Sequence, residues 1–266
     1  MKKIFLCVIA SALFVIHCKA PTSKQEVKQE KEPIIVKSLL DFFKRAEIDI
    51  ASAGGVVVDR DLIKNLSHLQ FMNGGGRKYY LLERDNISEM IRAVTIGVYH
   101  DFILINNDGK IIYTMRNNDI FGQNVRTSLR DTSIGRCFAN RDRRIYFEDV
   151  SGISEISGDY YIFVSSEVKG KNSFPGIFIL QIEIAKLLEL LDKNTCIVNN
   201  DGIYKINSRS ELINKPHELK DRVTPYLMED FKERTLNIGS RYISCRPFKF
   251  ENISWFILTD KEGANN

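Results

Sequence analysis

The sequence writes the same strand–turn–strand pattern twice, "FILINNDGKIIYT" at residues 102–114 and "CIVNNDGIYKINS" at residues 196–208. In each copy an apolar, strand-forming run enters Asn-Asn-Asp-Gly and a second run leaves it. Asp-Gly between two such runs marks a tight hairpin, because glycine supplies the positive φ that the turn requires. Asn106 and Asn199, which open the two turns, are separated by a domain's length of chain rather than by a solenoid period. The chain is therefore expected to build two small sheets, each started by its own hairpin.

The texture around the hairpins fills in the rest. Ile35, Leu39, Leu40, Phe43, Ala46 and Ile50 recur at helical spacing. Gly54-Gly55 reads as the stop of that helix. Residues 61–71 form a second short helical pattern, which "NGGGRKYY" breaks. Gly74-Gly75-Gly76 is a turn and not a phosphate loop, since no Gly-Lys-Ser/Thr follows. Asp85 or Asn86 caps a third helix with Ile87, Met90, Ile91 and Val94 on one face. After the first hairpin, strands are expected at 144–148, 160–166 and 176–184, then a helix at 185–193. The second copy continues through a hairpin at 197–206, a helix near 225–234 and strands at 241–248 and 254–259. Each unit reads as an antiparallel sheet with helices packed on one face, an α/β (α+β) arrangement.

The N-terminus is of a different character. Lys2 and Lys3 precede an apolar run over 4–16, shorter than the about 20 residues of a spanning helix. It fits the h-region of an export signal. Val15-Ile16-His17-Cys18 resembles a bacterial lipobox, although His17 is large for its position. Residues 1–17 are then a signal peptide, and Cys18 is the lipidated first residue of the mature chain. The alternative is an uncleaved apolar anchor with an incidental cysteine. Residues 18–33 are polar, charged and bracketed by Pro21 and Pro33, and cannot bury a face. They read as a tether, able to stretch to about 50 Å and spanning roughly 20 Å as a coil. Several acyl chains together hold a protein firmly on a bilayer. The expectation is an extracytoplasmic domain, on the periplasmic face or the cell surface, held on one side of a membrane by its lipid.

Hydrophobic residues make up 44% of the 266, enough for a core in each unit. The net charge of +4 is too small and too dispersed for a nucleic-acid track. The basic group Arg141, Arg143 and Arg144 reads as a solvated edge. Of the cysteines, Cys137, Cys196 and Cys245 remain after Cys7 leaves with the signal and Cys18 takes lipid. A Cys196–Cys245 bond and three inert thiols are both open readings. No Cys-x-x-Cys spacing supports zinc.

Residues 99–125, "YHDFILINNDGKIIYTMRNNDIFGQNV", resemble the start of the membrane-distal module of double Cache domains. These are the PAS-like extracytoplasmic sensors of bacterial chemoreceptors, histidine kinases and diguanylate cyclases. "IYFEDVSGISEISGDYYIFVSSEV" and "FPGIFILQIEIAKLLELL" resemble later segments of that module, and "ISWFILTD" around Trp255 resembles the closing strand of the proximal one. The resemblance covers residues 34–260. It implies a helical region at 34–98, a distal Cache module at 99–193 and a shorter proximal one at 194–262. The Arg-x-Trp-Tyr and Tyr-x-Asp elements of the amino-acid-binding class are missing. Ile153 and Ile156 stand where a subgroup has tyrosine and serine, and Glu167 stands where it has proline.

The resemblance implies a small molecule held between one face of the distal sheet and its cover. The candidate contacts are Tyr113, Arg136, Arg144, Tyr146, Asp149, Tyr160 and Ser165. Arg136 or Arg144 can grip a carboxylate through paired N–H groups, and Asp149 can take an ammonium, so an amino acid or organic acid is the expected ligand class. The histidines His68, His100 and His217 have no metal spacing, and no hydrolase or phosphate-binding motif is present. Binding without catalysis, cofactor or metal is the expectation, with the ligand or signal passed to a separate transmembrane receptor or other envelope protein. The alternative is an interaction lipoprotein whose pocket is filled by its own side chains.

Overall fold

The structure, a computed structural model, describes residues 34–71, 76–116, 119–151, 160–169, 175–229 and 232–261. The expected signal, Cys18 and the tether lie outside them, as do Ile153 and Ile156. The described residues belong to one compact unit, Pro33–Asn266. It opens with the helices α1 (Ile34–Asp59), α2 (Leu62–Phe71) and α3 (Gly76–Arg92). The first module follows as β1 (Asp101–Asn106), β2 (Ile111–Thr114), α4 (Ser133–Ala139), β3 (Tyr146–Ser151), β4 (Tyr161–Lys169) and β5 (Pro175–Glu183). A short α5 (Ala185–Leu188) leads to β6 (Thr195–Asn199), β7 (Tyr204–Ile206), α6 (Lys220–Glu229), β8 (Arg234–Ile238), β9 (Arg241–Phe250) and β10 (Ile253–Lys261).

The two five-stranded sheets repeat one another strand for strand, in the orders β2-β1-β5-β4-β3 and β7-β6-β10-β9-β8. All pairings are antiparallel. The repeated turns match to the atom. Asn106 Oδ1 accepts from the amides of Asp108 (3.1 Å) and Lys110 (2.9 Å). Asn199 Oδ1 accepts from those of Asp201 (3.1 Å) and Ile203 (2.9 Å). Gly109 and Gly202 sit at φ +83° and +69°. The first asparagine therefore holds the loop through its side chain, an Asx device, while the glycine takes the left-handed position.

The helix α1 is the spine that both sheets share. Its Phe43 ring lies 5.3 Å from Phe147 of β3, 5.7 Å from Phe248 of β9 and 5.5 Å from Trp255 of β10. All four side chains are buried in one continuous core. Asp49, fully buried on α1, accepts from the amides of Ile96 and Gly97 and from the Tyr99 hydroxyl (2.6 Å), which fixes the entry into β1.

Several expectations change. α1 runs through Gly54-Gly55 instead of stopping there. A Cβ on Gly54 would lie 3.1 Å from Val168 Cγ1 of β4, so the glycine serves close helix–sheet packing. Asp85 and Asn86 lie inside α3 and are not caps. The helix begins a turn or more earlier, held by Tyr80, which stacks on Phe121 at 3.9 Å and donates to the Thr114 carbonyl. The helix expected at 185–193 shrinks to α5, and the one near 225–234 is α6, with Pro225 inside it. β8 takes over its tail. Each sheet is covered on both faces, not one, since successive side chains along the strands point to opposite faces and apolar residues on both are buried.

No Cys196–Cys245 bond forms. Both residues pair with Leu258 from opposite sides, on β6 and β9. Two strand spacings, roughly 9–10 Å, then separate their Cα atoms, beyond the about 7 Å that a disulfide can bridge. Cys137, Cys196 and Cys245 are free thiols. Among the described residues, no helix is long and apolar enough to cross a membrane.

Candidate functional site

The face of the first sheet turned away from α1 is the candidate site. Ile103, Ile105, Ile111, Tyr161, Phe163, Ile177 and Ile179 form its apolar floor. The cover is α4, which packs on β3, β4 and β5. Thr132 caps α4, its hydroxyl accepting from Gly135 N at 3.2 Å. Gly135 is required there, since a Cβ would come within 2.2 Å of the Leu129 carbonyl oxygen. The glycine thus lets α4 fold tightly against the turn before it, and Cys137 and Phe138 of the same helix lie buried on the floor.

Arg136 leaves the same helix at the edge of the floor. Its Nε donates to Glu148 Oε1 (2.5 Å), Nη1 to the Asp131 carbonyl (2.7 Å) and Nη2 to Ser133 Oγ (3.2 Å). The Tyr146 hydroxyl donates to Glu148 Oε2 (2.8 Å). Burial, reinforced by Glu148, pushes the Tyr146 hydroxyl and the Cys137 thiol well above their usual ranges. Ser165, paired across the strands with Tyr146, completes the group. Arg136, Tyr146 and Ser165 are thus brought together around Glu148.

Other candidates fall elsewhere. Tyr113 points to the helical side, where its hydroxyl meets Ser88 Oγ at 2.7 Å. Tyr160 also packs against the α1-side core. Arg144 stands in solvent and pairs with Glu47 of α1. Asp149 lies between the modules, 3.3 Å from Lys205 Nζ and accepting from Trp255 Nε1 at 3.0 Å. Each charged candidate already holds a protein group of the expected sign: a carboxylate for each arginine, an ammonium for the aspartate. Glu148 was missed. Its place two residues after Tyr146 on a strand puts it on the same face, and that spacing was the available signal. A second polar group, His100 and Glu183 (2.8 Å apart) beside Tyr161, borders the floor at its other end. Among the described residues, no cluster of His, Cys, Asp or Glu is arranged to hold a metal ion.

No protein-family model matches the chain, and no curated protein matches it by sequence. Solved structures do. An extracellular ligand-binding receptor from Desulfohalobium retbaense aligns over 85% of this chain with a TM-score of 0.59 at 10% identity. The chain spans only 38% of that receptor's length. The ligand-binding domain of the Campylobacter jejuni chemoreceptor Tlp3 aligns over 86% of both chains, with a TM-score of 0.56 at 11% identity. The periplasmic sensory domain of the Campylobacter jejuni chemoreceptor Tlp1 aligns over 86% of this chain and 96% of its own, with a TM-score of 0.50 at 12% identity. The likeness is one of overall fold, and the chain, with its two five-stranded antiparallel sheets and leading helix, has the double Cache-like, PAS-type fold of extracytoplasmic sensor domains.

Proposed function

We propose that the protein is a lipid-anchored, extracytoplasmic binding module of sensor type. It takes a small molecule on a covered sheet face and presents it, or the resulting signal, to a separate membrane partner. Cys18 supplies the anchor and residues 18–33 the reach. The observation that carries the reading is the face under α4, where an arginine, a carboxylate, a phenol and a hydroxyl converge on an apolar floor. Few polar groups on an apolar lining is the composition of a small-molecule site. A neighbour of this fold, the Tlp3 domain, was solved with 4-methylisoleucine. An amino acid or organic acid is the ligand class that Arg136 and Glu148 would suit, by opening their own pair to its carboxylate and ammonium. Residues 99–193 and 194–262 serve as the distal and proximal modules, and no step of catalysis is involved.

The satisfied state of Arg136 and the inward seating of Phe138 favour a second reading, an interaction lipoprotein with a filled distal face. A thermal-shift screen of the purified full chain with amino acids, organic acids, amines, purines and sugars separates the two. A ligand that binds only the native state raises Tm progressively with its concentration, stabilising the fold by about 2.7 kcal/mol at one hundred times Kd. No stabilisation by any compound would leave only the interaction reading.

A further inference from the structure

The face of the second sheet that corresponds to the α4-covered face is built differently. Cys196, Tyr204, Ile243 and Leu258 floor a cavity of about 160 Å³. His217, 6% exposed, stands over it. Its backbone amide is held by the Gly202 carbonyl at 2.8 Å, and its ring lies 5.0 Å from Tyr204. Nδ1 accepts from Leu219 N at 3.0 Å, so the neutral ring carries its proton on Nε2. Burial keeps that ring neutral by lowering its pKa. Nε2 has no partner among the described residues. Asn207, 8% exposed, spends Oδ1 on Arg209 N (2.8 Å), and among the described residues its amide hydrogens are unspent. On the wall, Arg241 joins Glu218 and Asp260, donating from Nε to Asp260 Oδ2 at 2.7 Å. Among the described residues, Asp260 Oδ1 is buried with no hydrogen-bond partner. Lys193 and Arg209 stand exposed at the mouth.

The structure assigns this cavity as a ligand site for a three-carbon carboxylate bearing a hydroxyl or ammonium on the carbon next to the carboxylate. The assignment is separate from the distal face and rests on three features. His217 Nε2–H and the Asn207 amide have hydrogens to give, and two cations guard the entry, which suits a carboxylate. One buried carboxylate oxygen lacks a donor, and a buried polar atom left unpaired costs free energy that a ligand hydroxyl or ammonium recovers. The size is right as well, since a cavity of about 150 Å³ holds benzene, about six heavy atoms. Lactate and alanine are of that size. The carboxylate then meets His217 Nε2–H and the Asn207 amide, with Arg209 closing over it, while the neighbouring donor reaches Asp260 Oδ1 once that carboxylate turns the oxygen toward the cavity.

Calorimetric titration of the full chain with L-lactate, L-alanine and propionate tests the site. Lactate or alanine is expected to bind at one site per chain. Propionate, without the second donor, is expected to bind at least about tenfold more weakly, because the site's polar oxygen stays bare. Arg209→Ala, an exposed change that leaves packing intact, should weaken binding by about tenfold or more. Asp260→Asn should erase the preference over propionate. Failure of both lactate and alanine to bind would overturn the assignment. So would binding that is unchanged in Arg209→Ala and Asp260→Asn, which would put the ligand elsewhere, including on the distal face.

Discussion

The two modules share a hairpin, a strand order and a supporting helix, yet they treat their outer faces in opposite ways. In the first, α4 packs directly on the sheet, Phe138 fills the floor and Glu148 satisfies Arg136. In the second, α6 lends the buried Val223 to the core, while the segment carrying His217 stands off and leaves a polar cavity. The difference teaches that the sheet sets where a site can be and the cover decides whether it is open. Strand order alone does not distinguish a receptor from a scaffold.

The largest test of the comparison is of what the modules share. Phe43→Ala removes the ring around which Phe147, Phe248 and Trp255 gather. A loss of about 3–5 kcal/mol is expected. Trp255 fluorescence and far-UV circular dichroism should shift together in a urea titration. Separate transitions would show that α1 does not couple the sheets. Next in size, Glu148→Ala leaves Arg136 and Tyr146 without their acceptor on a mostly buried face, at a cost of about 1–3 kcal/mol by the same titration. A change near zero would mean that the distal face is looser than its geometry.

A smaller effect separates the second module by pH. The native fold holds His217 neutral, chiefly by burial, with Glu218, Arg241, Asp260 and Tyr204 around it. The unfolded chain takes up its proton near pH 6.5. The stability tied to the neutral ring is therefore complete above that pH and declines as pH falls below it, by at most about 1.4 kcal/mol per pH unit. His217→Gln should flatten that part of the stability profile, read as Tm between pH 7.5 and 5. An unchanged slope would assign it to other groups. The smallest effect is expected of Arg144→Ala. Its pair with Glu47 is mostly in solvent, and the loss should stay within about 1 kcal/mol.

Much of the fold was legible from the chain because it is local. Apolar runs on either side of Asn-Asn-Asp-Gly specify hairpins without reference to anything distant. The long spacing pattern from Ile35 to Ile50 likewise marked α1. What escaped reading depends on contacts far apart in sequence. Gly54 looks like a stop signal until β4 is known to press against it. Arg234–Ile238 carries too few apolar residues to announce β8, which exists because β9 pairs with it. The candidate site was half legible. Arg136, Tyr146 and Ser165 do share a face, but Asp149, next to Glu148 on the strand, points to the opposite one and belongs to the junction with Lys205 and Trp255. The cavity under His217 was not legible, since a lone histidine in a polar loop carries no spacing signal.

Hydrogen exchange of the full chain, with and without the strongest hit of the thermal screen, bears most directly on the claim that a covered sheet face takes a small molecule. Added protection is predicted over residues 131–148 and 160–166 for a distal ligand, or 193–218 and 258–260 for a proximal one, with α1 unchanged. Protection appearing only along the exposed side of α1, or nowhere at saturating ligand, would contradict it.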